Sequence, residues 1–136
     1  MKLVAASGYF DPLHVGHIEY LTRAKTLGDK LVVIVNNDYQ AGLKKGNPFM
    51  IEGDRIQIIR SLRMVDQVFL SIDLDPTVCK SLAFLKPQIF AKGGDRFSSE
   101  IPEAKVCKDN NIIIVDGLGE KIRSSSKYIE GSPYGT

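Results

Sequence analysis

Five apolar, β-branched runs, at 2–6, 30–35, 67–70, 88–91 and 112–115, recur along the chain with longer segments between them. Short runs of this composition read as buried strands. The segments between them carry helical signals. Ile18, Tyr20, Leu21, Ala24 and Leu27 fall on one half of a helical wheel, Glu19, Thr22, Arg23 and Thr26 on the other, and Gly28 is placed to end that helix as a C-cap. A second helix is expected over 52–63, with Ile58, Ile59 and Leu62 facing inward, and a third from Asp75, followed by Pro76 at the first helical position. A fourth covers 100–109, and a last begins after Ser124 and frays before Gly131. Alternating strands and helices, with crossovers of helical length, imply a parallel sheet covered on both faces. The expected fold is therefore α/β: a Rossmann-like, doubly wound, five-stranded parallel sheet with helices on both faces. Such sheets bind ligands beyond the carboxyl ends of their strands, where the winding direction reverses.

At 136 residues the chain has room for one domain, expected over 1–131 with 132–136 as a C-terminal tail. A net charge of +2, from 18 basic and 16 acidic residues without a basic run, argues against a nucleic-acid partner. No stretch approaches the ~18 consecutive apolar residues of a membrane span, so no membrane partner and a cytoplasmic location are expected. Cys79 and Cys107 lack further ligands at metal spacing and read as reduced, mostly buried thiols.

Directly after the first run comes Gly8-Tyr9-Phe10-Asp11-Pro12-Leu13-His14-Val15-Gly16-His17, which leads straight into the amphipathic helix. A helix amino terminus offers unpaired N–H groups and the positive end of the helix dipole, both of which favour phosphate. Gly16 allows close backbone approach, and imidazole N–H groups can donate to oxygens that grow more negative during group transfer. His17 lies on the inward half of the wheel near Leu21, as a core histidine also would. A histidine pair at i, i+3 could ligate a metal, but no third ligand has suggestive spacing, and no protein-held metal is expected.

This loop resembles the signature of the cytidylyltransferase-like nucleotidyltransferase superfamily, Gly-x-Phe-Asp-x-x-His-x-Gly-His after the first strand. The likeness continues through residues 27–38 and covers nearly the whole chain. It implies that His14 and His17 contact a nucleoside triphosphate and stabilise the transition state at its α-phosphorus, with Phe10 and Asp11 shaping a nucleotide site that includes Gly8, Tyr9 and Gly16. The acceptor's own phosphate would be the nucleophile, so catalysis is alignment and charge stabilisation without a covalent protein intermediate. Mg²⁺ would arrive with ATP or CTP, held chiefly by phosphate oxygens and water. A homodimer is also implied.

Further segments extend the resemblance. Residues 41–48, glycine-flanked and basic, have the composition of a loop that closes over anions, and a lysine there contacts phosphates in similar enzymes; Lys44 and Lys45 are both candidates. Glu52-Gly53-Asp54-Arg55 resembles the family's acidic stretch followed by arginine, which gives Arg55 a role in loop anchoring or phosphate contact. Lys92, Gly93 and Asp95 belong to a Lys-Gly-Gly-Asp segment similar to that of bacterial heptose-phosphate adenylyltransferase domains. Arg123-Ser124-Ser125-Ser126 resembles the serine-rich segment that binds the β and γ phosphates, although Arg123 stands where an apolar residue is usual and the cytidylyltransferase Arg-Thr-x-Gly is missing.

The expected activity is transfer of AMP or CMP to a small phosphorylated metabolite, a sugar or polyol phosphate, with release of pyrophosphate. The Lys-Gly-Gly-Asp likeness and the missing cytidylyl motif favour ATP with a heptose-phosphate-like acceptor. CTP with glycerol 3-phosphate or another phosphorylated alcohol is the alternative. A non-catalytic nucleotide-binding sensor is the alternative of another class.

Overall fold

Val4, Ala5 and Ala6 expose none of their surface on either side of their strand, which places β1 (Leu3–Gly8) at the centre of the sheet. The computed structural model describes residues 1–93, 101–116 and 118. The other strands are β2 (Lys30–Val35), β3 (Gln67–Leu70), β4 (Ile89–Ala91) and β5 (Ile113–Val115). Their order is β3-β2-β1-β4-β5, with every neighbouring pair parallel. The chain winds from β1 outward through β2 to β3, then crosses back and continues from β4 to β5. The winding therefore reverses between β1 and β4, where a Rossmann-like sheet opens its ligand crevice.

The strands alternate their side chains between two cores, as a period of two requires. On one face Val4, Ala6, Leu31 and Val33 pack with Leu21 and Ala24 of α1 (Val15–Lys25) and Ile59 of α3 (Glu52–Arg60). On the other, Ala5, Val32, Ile34 and Phe90 pack with Leu82 of α4 (Cys79–Leu85) and Cys107 of α5 (Glu103–Asp109). Complete burial of a leucine such as Leu21 or Leu82 contributes roughly 1.5–3 kcal/mol. The doubly wound sheet with helices on both faces is the expected one.

Several local expectations are corrected. The segment read as a loop is largely helical: α2 (Asp38–Lys45) begins with a capping box in which the Gln40 N–H donates to Asn37 Oδ1 (2.8 Å) and the Asn37 N–H to Gln40 Oε1 (2.9 Å). Gly46, at φ +88°, ends it. Gly28 is not a C-cap, since α1 closes at Thr26 in ordinary helical geometry. Its role is close approach: a Cβ there would lie 2.7 Å from Val4 Cγ2 and 2.8 Å from the Lys2 carbonyl oxygen. Helix α3 stops at Arg60, and Ile58 is exposed while Ile59 is buried.

The third expected helix, α4, starts at Cys79 rather than near Pro76, because Asp75 is engaged in a local turn through the Thr77 N–H and hydroxyl. Asp73 caps α4 from outside by accepting the Lys80 (2.7 Å) and Ser81 (3.0 Å) amides. Helix α5 begins at Glu103, later than expected. The final helix and the 132–136 tail lie outside the described residues. Cys79 and Cys107 are free thiols, Cys107 buried and pushed up to about 12 by that burial and by the Glu103 charge. Among the described residues no helix is long and apolar enough to cross a membrane.

Candidate active site

The loop leaving β1 turns back on itself at Phe10, which has φ 51° and is almost completely buried. Its ring folds over Gly8, where a Cβ would meet Phe10 Cζ at 2.8 Å. Gly8 is therefore glycine because this ring occupies the space a side chain would need. The Asp11 carboxylate, fully buried, accepts from the amides of Phe49 (2.7 Å) and Met50 (2.6 Å) and pairs with Lys45 Nζ at 2.9 Å. Burial works to raise its pKa, but Lys45 and the two amides outweigh that and hold the carboxyl below the ordinary carboxylate range. Asp11 thus clasps the segment after α2 to the β1 loop.

Two histidines close the first turn of α1. His14 is the N-cap, and its Nδ1 accepts the Gly16 N–H at 3.1 Å. His17 returns the favour: its Nδ1 accepts the His14 N–H at 3.1 Å. Nδ1 accepts in both rings, which leaves Nε2 as the N–H donor of each. The rings stack at 3.8 Å and 25°, and Phe10 meets His17 edge-on at 5.0 Å. Burial, reinforced by His14, lowers the His17 pKa to about 4, which keeps the ring neutral near pH 7. Gly16 permits the arrangement, since a Cβ would press the His14 ring at 3.0 Å. The product is a pair of N–H donors beside the positive end of a helix.

The end of α2 lines the same crevice. Lys45 is bound to Asp11 through both its carboxylate and its carbonyl oxygen (3.0 Å), whereas Lys44 Nζ lies 4.5 Å over the Tyr9 ring. Arg55 is wholly buried and donates to the carbonyls of Met50 (2.9 Å), Tyr9 (2.8 Å) and Asn36 (2.7 Å) and to Asp38 Oδ1 (2.7 Å). It joins the β1 loop, the end of β2, α2 and the entry to α3. Its geometry is that of an anchor, with the guanidinium turned away from solvent.

The crevice is a cavity of about 590 Å³ bounded by the β1 loop, His14, Gly16, His17, Tyr20, Lys44, Lys45, Lys92 and Gly93. Of the expected site residues, Gly8, Tyr9, Phe10, Asp11, Gly16, both histidines, both lysines, Lys92 and Gly93 therefore meet in one place. Arg55 lies behind it. Asp95, Arg123, Ser124, Ser125 and Ser126 lie outside the described residues.

Sequence reasoning placed Tyr20 only on a core-facing stripe. Its hydroxyl donates to the Ala91 carbonyl (2.6 Å) and accepts the Ser7 N–H (3.2 Å), bridging β1 and β4 where they part. Burial raises its pKa, so it stays a neutral donor. No local signal reveals this, because Ala91 is far away in sequence.

A pocket with imidazole N–H donors, lysines and, among the described residues, one carboxylate already paired to lysine suits a phosphate-bearing anion. Comparisons with known proteins identify the family. The family model described as cytidylyltransferase-like matches residues 5–130. The chain is 39% identical over 109 residues to the bifunctional protein HldE of Streptomyces coelicolor, covering 79% of this chain and 23% of that protein. It is 40% identical over 136 residues to the bifunctional protein HldE of Citrifermentans bemidjiense, covering 95% of this chain and 26% of that protein. The chain thus spans about a quarter of the length of these curated relatives. Among solved structures, the lipopolysaccharide core biosynthesis protein from Thermoplasma volcanium superposes with a TM-score of 0.71 at 35% identity, over 85% of this chain and 95% of that one. Pantoate-beta-alanine ligase from Francisella tularensis, at 18% identity and a TM-score of 0.61 over 95% of this chain and 67% of that one, shares the fold. By its signature loop, its sheet order and the match over most of its length, the chain belongs to the cytidylyltransferase-like family of nucleotidyltransferases.

Proposed function

We propose that the chain transfers an adenylyl group from ATP to a heptose-phosphate-like sugar phosphate and releases pyrophosphate. The observation that carries this reading is the histidine pair: two Nε2–H donors at the amino end of α1, at the β1/β4 reversal, with Lys44 and Lys92 lining the same crevice. An acceptor phosphate oxygen attacks the α-phosphorus, the new O–P bond forms as the bond to the pyrophosphate oxygen breaks, and the electron pair leaves with pyrophosphate. His14 and His17 donate to the α-phosphate oxygens as charge builds there, and the lysines offset the charge of the phosphates. No side chain needs to gain or lose a proton in this step.

The choice of adenylyl transfer to a sugar phosphate rests on the Lys92-Gly93-Gly94-Asp95 likeness and on similarity to the HldE proteins. The donor set fits a Mg²⁺ carried by the nucleotide, because the Asp11 oxygens are taken by Lys45 and two amides. When bound, the ion neutralises phosphate charge. A homodimer, implied by family resemblance, is part of the proposal and is checked by light scattering.

Pyrophosphate release tests the reaction, with purified protein and Mg²⁺, crossing ATP and CTP against heptose 1-phosphate, glycerol 3-phosphate and related phosphorylated alcohols. Acceptor-dependent release with ATP and heptose 1-phosphate is the expected result. Release with CTP and glycerol 3-phosphate instead would overturn the substrate assignment and keep the chemistry. Tight nucleotide binding with no release from any pair would favour a nucleotide sensor.

A further inference from the structure

The two adjacent lysines at the end of α2 sit in different chemical situations. Lys45 Nζ lies 2.9 Å from Asp11 Oδ2 and donates to the Asp11 carbonyl at 3.0 Å, so its charge is satisfied within the protein. Lys44 Nζ lies 4.5 Å from the centre of the Tyr9 ring and has no carboxylate partner among the described residues. An aromatic face attracts an ammonium through its quadrupole and leaves the full positive charge in place. A carboxylate would cancel that charge.

The Tyr9 backbone is held independently of the lysine. Its carbonyl accepts from Arg55 Nη1 at 2.8 Å, Arg55 is fully buried, and the next ring, Phe10, is packed over Gly8. The aromatic platform belongs to the β1 loop and the ammonium to α2, and both face the crevice that contains the histidine pair.

We propose that Tyr9 is a positioning residue: its ring holds the Lys44 ammonium at the crevice as the cation that meets substrate phosphates, while Lys45, tied to Asp11, is a strut that fixes where α2 ends. The inference deepens the adenylyl-transfer reading and rests on it for the identity of the phosphates. The ring is required and the phenol hydroxyl is not.

The test uses the whole chain and inorganic tripolyphosphate as probe, with affinity read by calorimetry for wild type, Tyr9→Phe, Tyr9→Leu, Lys44→Ala and the Tyr9→Leu/Lys44→Ala double variant. Tyr9→Phe should bind as wild type does, and Tyr9→Leu should bind roughly threefold to tenfold more weakly. In the Lys44→Ala background, Tyr9→Leu should cost nothing further, because the ring acts through the lysine. The Lys44 ε-methylene protons should be shifted upfield by the ring in the wild-type NMR spectrum, a signature that needs no variant. Additive losses, an unaffected Tyr9→Leu or an unshifted lysine signal would each overturn the proposal. Intact coupling without pyrophosphate release would remove the reaction and keep the positioning role, whereas turnover with additive losses would do the reverse.

Discussion

At His17 one side chain both closes the first turn of α1 and faces the crevice. His17→Ala should lower turnover by about 100-fold or more, the scale for loss of a donor to developing charge, and lower stability by only about 1 kcal/mol. Steady-state kinetics beside denaturant melts separate the two effects. The pH dependence has a definite sign. The folded-state pKa of about 4 lies below the ordinary 6.5. Between those values the unfolded chain binds a proton that the folded chain refuses, so stability drops as the pH falls through that window. His17→Asn, which keeps an acceptor for the His14 amide, should show a shallower drop in denaturant midpoint from about pH 7 to about pH 4. The histidines were legible because they lie in one continuous stretch that runs from β1 straight into α1. Arg55 was legible only as a candidate: three of its partners, Tyr9, Asn36 and Asp38, come from other elements, and only the fold gathers them.

The helices show where local sequence misleads. The Asn37-x-x-Gln40 capping box announces α2, but the glycines around Lys44 and Lys45 carry the opposite message, and tertiary anchoring decides. Gln40 donates to the carbonyls of Asp75 (2.7 Å) and Thr77 (2.8 Å), and Asn37 to that of Ser71 (2.9 Å), pinning the helix over the carboxyl edge of the sheet. Gly42 sits inside α2 with open space where a Cβ would go. Gly42→Ala should therefore stabilise the protein by about 0.5–1 kcal/mol, seen as a raised melting temperature. Gly46→Ala should destabilise it, because φ +88° strains any side chain. Gly28→Ala should cost more than Gly42→Ala gains, since its new methyl would meet a backbone oxygen at 2.8 Å.

The whole sheet was readable because buried parallel strands write themselves as uninterrupted apolar runs, and the crevice follows from the strand order. What holds the crevice in shape was readable only in part: Arg55 stood as a candidate loop anchor, but none of its partners could be named. Arg55 links four segments from the interior, so Arg55→Met should lower unfolding free energy by about 3 kcal/mol or more, leaving buried carbonyls without donors. Chemical denaturation measures that loss. A further consequence belongs to the capping box made of His14 and His17. Serine or aspartate is the better cap for an ordinary helix. A search for thermostable variants would therefore be drawn to these two positions, and each improvement found there would dismantle the donor pair. In this molecule the most tempting site for stabilisation is one where robustness and activity compete for the same atoms.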